Sequence, residues 1–514
     1  MNGAQFHFSH LILRIRKELT FKSYSSVSHK SISTSTVLSQ VRKEESVMKK
    51  ISSLPPYFLR QSDAANYDTI THQRNDCMFD LQDGKPLNKH NSSFAGLTIA
   101  QATQVHNSIV VQFSDGHEST FSKEWIEMQI QRRSSRVERC IFDLAPNLPR
   151  IPWKNLNEVQ LRSTDRDTLR TISFDDLVLR SNERNKYQTS DTPLNNIDTA
   201  IRILYQSGIL LVTSTPVDDS GAGVAALASA LSGAAHKTSP HTSPLAQYQY
   251  SVANKIKPQL ILEHGTDGPQ RTLYGNIWST HSGEMAEGIS IADSAYGNEA
   301  LPLHNDMCYY RDPPGLQIFT MISPADKGGE SIFGDGLAIA EYMRMNHPEE
   351  FDTLCSIPRR YRSLDRETGW YLEASGPVFK AVDRLQANMS DKMNSGSSNH
   401  CERWGGILSI RHNDLDRLPD LPPPAISDEM VSEFYEKLEK AHNSLDRLLG
   451  SDEFRLIVHL KPGDTMVVAN QRCFHGRKSF QTTTTPRSVM GCYVSQDDLE
   501  SRIRWHLDGN ITLQ

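Results

Sequence analysis

The chain has 514 residues, with 55 Lys and Arg against 61 Asp and Glu, a net charge of −6. That length leaves room for two or three domains with cores of their own, and 23% charged with 8% aromatic residues describes a globular protein, not a fibrous or largely disordered one. The acidic balance gives no general pull toward nucleic acid. The longest small and apolar run, Ala222 to Ala235, contains Ser and Gly and falls short of the ~18 apolar residues of a membrane span, so neither nucleic acid nor membrane is expected as a partner.

Residues 1–43 hold seven basic residues, one acid and nine serines, a net +6 in an otherwise acidic chain. Phe8, Ile12, Ile15 and Leu19 recur at helical spacing while Arg14 and Lys17 lie off that stripe, which predicts a basic amphipathic helix over 6–21. Residues 1–50 therefore read as a transit peptide into mitochondria. A functionless leader on a cytoplasmic protein is the plainer alternative.

A small β-rich domain is expected over 55–181: a strand Ser108–Phe113, a turn Ser114–His117, and a strand from Ser119 to Trp125. Polar residues without periodicity at 182–193 read as a linker to a second domain at 194–510. There, helical spacing covers Ile197 to Gln206, Leu337 to Met345 and Asp428 to Leu449. Strands are expected at 208–212, 316–322, 408–411, 454–460, 465–469 and 489–494, with a surface loop at 388–399. The fold class is mainly β with flanking helices. Seven cysteines (Cys77, Cys140, Cys308, Cys355, Cys401, Cys473, Cys492) are scattered, odd in number and never C-x-x-C, which suits free thiols in a reducing compartment.

His304 and Asp306 stand two residues apart, so in a strand they would share a face. A further imidazole, His475, follows the Lys461–Asp464 turn, which reads as a hairpin. Two His and one carboxylate on one triangular face leave open positions on a metal, the arrangement of non-haem Fe(II) oxygenases. Alone, H-x-D says little in a chain with 19 His. Arg487, twelve residues after His475, adds a planar fork on the next strand, suited to the distal carboxylate of a dicarboxylic co-substrate.

These residues sit among Leu273–Trp278, Ser294–Tyr296, Leu303–Asp306, Tyr309–Gly315, Gly328–Glu330, Asp335–Gly336, Ile410–Arg411, Leu460–Asp464, His475–Arg477 and Gly491–Tyr493. In that order the blocks resemble the 2-oxoglutarate-dependent dioxygenases of the taurine-dioxygenase superfamily, over about residues 195–506. Within it they look most like the carnitine-biosynthesis branch, γ-butyrobetaine dioxygenase and trimethyllysine dioxygenase. The resemblance implies a jelly-roll catalytic domain, the double-stranded β-helix. It implies His304, Asp306 and His475 as ligands of Fe(II), Arg487 as the anchor of the co-substrate 2-oxoglutarate, O2 as oxidant and ascorbate as a supporting reductant. The reaction implied is hydroxylation coupled to decarboxylation of 2-oxoglutarate to succinate. Asn305 replaces the commoner Thr between the two ligands, at a position pointing off the ligand face.

Tyr274, Trp278, Tyr296 and Tyr493 match aromatic positions that, in this branch, close around a quaternary ammonium. A trimethylammonium group donates no hydrogen bond, so ring quadrupoles must hold it. Asp293, three residues before Tyr296, would suit the α-ammonium of trimethyllysine; as a plain exposed turn residue it leaves γ-butyrobetaine equally open. The N-terminal domain resembles the small β domain of these enzymes, where clustered cysteines hold zinc and the usual role is dimer formation. Here Ile126 to Val137 contains no Cys, so no zinc is expected, and a homodimer stays open. Two other readings remain: a related dioxygenase acting on a sulfonate or aryloxy acid, and a non-catalytic member of the family.

Overall fold

Apolar residues on alternate positions of the strands decide how the chain is layered, and a computed structural model describes the result for residues 47–66, 97–134, 144–145, 148–163, 170–180, 196–217, 220–232, 243–258, 268–281, 297–366, 369–381, 406–422, 427–482 and 486–507. The leader helix at 6–21, the linker at 182–193, the polar run 388–399, Asp293 and Tyr296 lie outside these residues, as do Cys77, Cys140 and Cys401. Cys308, Cys355, Cys473 and Cys492 are buried free thiols. Among the described residues, no helix is long and apolar enough to cross a membrane.

The chain divides into two compact units, Met1–Gln131 and Arg132–Leu513. In the first, strands β1 (Ile99–Val105), β2 (Ser108–Phe113) and β3 (Glu118–Ser122) form an antiparallel meander. The expected strand through Trp125 stops at Ser122, because the Ser122 hydroxyl accepts from the Trp125 amide at 3.1 Å and starts helix α1 (Lys123–Ser134). Trp125 stacks on Phe121 and Phe58 in that unit's core, with ring centroids 5.0 and 6.0 Å away.

The division falls well before the expected boundary at 182–193. Strand β4 (Thr171–Ser173) pairs in parallel with β5 (Ile209–Thr213), and Trp153, Leu161 and Phe174 lie in cores of the second unit. Trp153, Leu161, Ile172 and Phe174 are buried in the cores built on the larger sheets.

The second unit continues with strands β6 (Trp278–His281), β7 (Leu301–His304), β8 (Leu316–Ser323), β9 (Ser331–Asp335) and β10 (Ile407–Ile410). Then come β11 (Leu456–Val458), β12 (Thr465–Ala469), β13 (Cys473–Arg477) and β14 (Ser488–Val494). Its helices are α2 (Asn196–Ser207), α3 (Ala222–Ser232), α4 (Gly336–Asn346), α5 (Pro348–Ser356), α6 (Asp428–Leu449) and α7 (Gln496–Leu507). A six-stranded sheet has the order β4-β5-β12-β8-β14-β6, and a four-stranded antiparallel sheet the order β11-β9-β13-β7.

The period of two sorts their side chains. Leu210, Val212, Ile318 and Val467 of the larger sheet face α2, α3 and α7, whereas Ile209, Leu211, Phe319, Met466 and Val489 face Phe333, Leu456 and Val458 of the smaller one. On the smaller sheet's outer face, Leu303, Ile332 and Phe474 pack against α4, α5 and α6. The Lys461–Asp464 turn is not a hairpin: β11 pairs with β9 in one sheet and β12 with β5 and β8 in the other. Asp464 stabilises this crossing by accepting from the Lys461 amide at 3.0 Å and from Arg162 at 2.7 Å.

One buried ion pair ties these layers together. Arg472 donates to Asp335 through Nε at 3.2 Å and Nη2 at 2.9 Å, and also to the carbonyls of Ile151, Tyr205 and Gln206. Asp335 accepts in turn from the amides of Trp153 and Leu337, both at 3.0 Å. Breaking a buried pair from one side leaves the other charge uncompensated. Asp335→Ala is therefore expected to lower stability by about 3–5 kcal/mol, read as an earlier urea midpoint; a midpoint equal to that of the parent chain would remove the pair from the stability of this unit.

Candidate metal centre and substrate cavity

His304 and His475 are brought together by strand register: β7 and β13 are adjacent, and the two histidines are direct cross-strand partners. Both rings project between the two sheets, on the side where Cys473 also lies, with centroids 4.4 Å apart. A Cβ on Gly476 would meet the Leu301 carbonyl at 2.6 Å, so only glycine lets β13 approach β7 this closely just beyond the pair.

Asp306 arrives differently from the strand alternation expected. Strand β7 ends at His304, and Asp306 lies in the turn that follows, where Met307 has φ of 55°. Asparagines hold this turn. Asn305 is 1% exposed; its Nδ2 donates to the carbonyls of Asn470 and Cys473, its amide to His412, and its Oδ1 accepts from the His412 amide. Asn470 Oδ1 accepts from the Asp306 amide at 2.9 Å, and its Nδ2 donates back to the Asp306 carbonyl at 3.1 Å. Asn305 thus points off the ligand face, as expected, and has a bracing job there.

Asp306 Oδ1 stands 3.3 Å from His304 Nε2 and 3.4 Å from His475 Nε2. The three candidate ligand atoms lie within 4.8 Å of one another. The donor chemistry fits a divalent ion. His304 Nδ1 faces the Pro302 carbonyl at 2.7 Å, and because a carbonyl only accepts, the ring proton is on Nδ1 and the Nε2 lone pair is free. The other oxygen, Asp306 Oδ2, accepts from the Tyr493 hydroxyl at 2.8 Å and from Gln317 Nε2, which also reaches His475 Nε2 at 3.0 Å. Oδ1 is left facing the two imidazoles.

The charges agree with this. Burial would raise the Asp306 carboxyl, but His475 and His304 beside it hold it well below the usual carboxylate range. Burial lowers His475, while for His304 burial is outweighed by the hydrogen bond to Asp306 and the imidazole is raised. Burial also pushes the Tyr493 phenol well above its ordinary value, so it remains a donor to the carboxylate.

The same cavity is lined by Arg487, which immediately precedes β14, and by Arg477 of β13. Both guanidiniums lie over the Phe480 ring, at 5.5 and 4.7 Å from its centroid. Burial lowers each to about 10, still protonated at neutral pH, and Arg477 adds to the effect on Arg487. Two buried cations on one wall make that end of the cavity attractive to a carboxylate. Part of the lining is aromatic. Tyr274, Trp278 and Tyr493 all line the cavity; Trp278 and Tyr493 have centroids 6.0 Å apart. Trp278 lies so close over Gly491 that any side chain there would collide with the indole.

The lining residues that escaped the sequence reading include Arg477, Tyr309, whose hydroxyl is 3.4 Å from that of Tyr274, Gln317, Asn413 and Asp416. Tyr309 stood inside a quoted motif, but nothing in the pattern separated it from core aromatics. Gln317 and Asp416 carried no local signal at all.

A model of the family described as taurine catabolism dioxygenase TauD, TfdA family matches residues 185–493, more than half of the chain. The chain belongs to this family. Among curated relatives, the mitochondrial trimethyllysine dioxygenase of Bos taurus is 29% identical over 238 residues, 46% of this chain and 48% of that protein. The γ-butyrobetaine dioxygenase of Pseudomonas sp. (strain AK-1) is 29% identical over 213 residues, 41% of this chain and 48% of that one. The match thus spans about half the length of these relatives. Among solved structures, an asparagine oxygenase in complex with Fe(II), a hydroxyasparagine and succinate is 12% identical, with coverage of 64% of this chain and 94% of that one. Its TM-score of 0.35 is too low to carry a conclusion.

Because Asn470 fixes the turn that presents Asp306, Asn470→Ala is expected to weaken metal binding by roughly 10–100-fold, the usual effect of losing a group that orients a ligand. Equilibrium dialysis against Fe(II) under anaerobic conditions reads this directly, and unaltered affinity would free Asp306 from its dependence on Asn470.

Proposed function

We propose that this family member is an Fe(II)- and 2-oxoglutarate-dependent hydroxylase of a trimethylammonium substrate of carnitine biosynthesis, γ-butyrobetaine or trimethyllysine. The observation that carries the reading is the convergence in one cavity of a His-Asp-His centre, a buried arginine pair and an aromatic wall. The facing sheets are read as the double-stranded β-helix of the family. Iron held by His304, Asp306 and His475 would supply the oxidising chemistry that couples co-substrate decarboxylation to hydroxylation. The protein's part is placement. Arg487 grips the distal carboxylate of 2-oxoglutarate, and Tyr493 with Gln317 keeps Asp306 turned toward the ion. Tyr274, Trp278 and Tyr493 hold the quaternary ammonium by their ring faces, excluding the water that would otherwise solvate it. The roles of Asp293 and Tyr296 stay with this proposal as expectations outside the described residues.

Between the two substrates, one observation favours trimethyllysine. Asp416, whose Oδ2 accepts from Asn413 Nδ2 at 2.8 Å, lines the cavity. A carboxylate there suits the α-ammonium of trimethyllysine better than the free carboxylate of γ-butyrobetaine.

Turnover of trimethyllysine, γ-butyrobetaine and taurine, followed as succinate formation, tests the proposal. A trimethylammonium substrate is expected to be preferred, and Trp278→Ala to lower its kcat/KM about tenfold or more, as ~1.4 kcal/mol of lost cation–π attraction requires. Decarboxylation of 2-oxoglutarate without substrate should survive that change. If taurine, or an isostere with tert-butyl in place of trimethylammonium, were hydroxylated as well as the cation, the sulfonate or aryloxy-acid reading would take over.

We also propose a mitochondrial location, supported by the charge pattern of residues 1–43 and by relatives named as mitochondrial. Residues 1–50 fused to a fluorescent reporter should carry it into mitochondria, and a cytosolic reporter would end that reading.

A further inference from the structure

Beside the substrate cavity, three metal-ligating side chains that the proposed chemistry does not use converge on one point, with a fourth carboxylate, Asp446, next to one of them. His412 and Asp414 come from the segment after β10, and His442 and Asp446 stand one turn apart on α6. The His412 ring is 2% exposed, its Nδ1 has no hydrogen-bond partner, and its Nε2 lies 3.8 Å from Asp414 Oδ2, beyond hydrogen-bond range. His442 Nε2 is 3.2 Å from that same oxygen and 3.4 Å from Asp446 Oδ2. Arg417 occupies the other oxygen, Asp414 Oδ1, at 2.9 Å, which turns Oδ2 toward the two imidazoles.

The spacing is what a small ion needs. The ligand atoms of His412, Asp414 and His442 all lie within 4.8 Å of one another. Bonds of ~2.0–2.1 Å to a tetrahedral zinc place neighbouring ligand atoms roughly 3.3–3.4 Å apart, and the His442–Asp414 and His412–Asp414 separations of 3.2 and 3.8 Å straddle that edge. Asp414 and Asp446, 33% and 45% exposed at their side chains, give an ion a way in from solvent.

We propose that His412, Asp414 and His442 form a second metal site, filled by Zn2+. Two nitrogens and one carboxylate oxygen supply three positions of a tetrahedral shell, with water as the fourth. The expectation of no zinc rested on missing cysteines, and this set uses none. The site's consequence is mechanical. It clamps the 412–416 segment to α6; Asn413 and Asp416 of that segment line the substrate cavity, and the His412 backbone pairs with Asn305, between two residues of the His-Asp-His centre. The inference stands whether or not the substrate reading holds.

The test uses the full chain carrying His304→Ala and His475→Ala, so that the first centre is disabled, stripped with a chelator and then dialysed against Zn2+. About one Zn2+ per chain is expected, and Co2+ in its place should give the intense visible bands of tetrahedral coordination. Adding His442→Ala should weaken Zn2+ binding by at least about tenfold, the lower bound for disturbing a metal's supporting groups. Asp414→Asn, an isosteric change at a partly exposed site, should act in the same direction while the chain still shows a cooperative melting transition in chelator. Absence of zinc in the double variant, or undiminished binding in both added variants, would overturn the proposal.

Discussion

The register between β7 and β13 is the constraint on which the rest of the site depends. It sets His475 directly across from His304, and a slip of one residue would turn one imidazole into the apolar layer under α4 and α6. The apolar neighbours enforce it. Leu303 and Phe474 must face those helices while Phe333 and Cys473 face the larger sheet, so the hydrophobic pattern that stabilises the fold also points both imidazoles inward.

Around that fixed pair, a set of buried polar groups holds the third ligand in place. Asn470 satisfies the amide and carbonyl of Asp306, Asn305 satisfies the carbonyls of Asn470 and Cys473, and Tyr493 and Gln317 occupy the carboxylate oxygen that the ion would not take. Each of these contacts spans 150 or more residues of sequence except that of Gln317, eleven residues from Asp306. A buried network of this kind is favourable only when its members are paired, which makes the geometry all-or-none and not gradually adjustable.

The cavity then holds charges of both signs. Arg477 and Arg487, both over Phe480, share the cavity lining with the carboxylate of Asp306, with aromatic faces and with Asp416. A dianionic co-substrate and a cationic substrate would each find a complementary surface and would be repelled from the other's. Asp416 belongs to the same segment that His412 and Asp414 anchor toward α6, so substrate contact and structural support share a few residues.

Much of this was legible in the chain itself, because short-range chemistry is local. The helices at Asn196–Ser207 and Asp428–Leu449 and the strands at Thr465–Ala469 and Ser488–Val494 follow from periodicity, and His304, Asp306, His475 and Arg487 followed from residue type, spacing and ordered motifs. What required the tertiary structure was every decision made by pairing at a distance. The end of the strand at Ser122 depended on a cap that competes with strand continuation, and the allegiance of residues 148–180 on which sheet had an edge and a groove to offer. The Lys461–Asp464 turn looks like a hairpin until β11 and β12 are seen to pair in different sheets. Likewise Gln317, Asp416 and the pairing of His412 with His442 carry no sequence signal, since nothing in a linear pattern tells one buried polar side chain which distant partner will satisfy it.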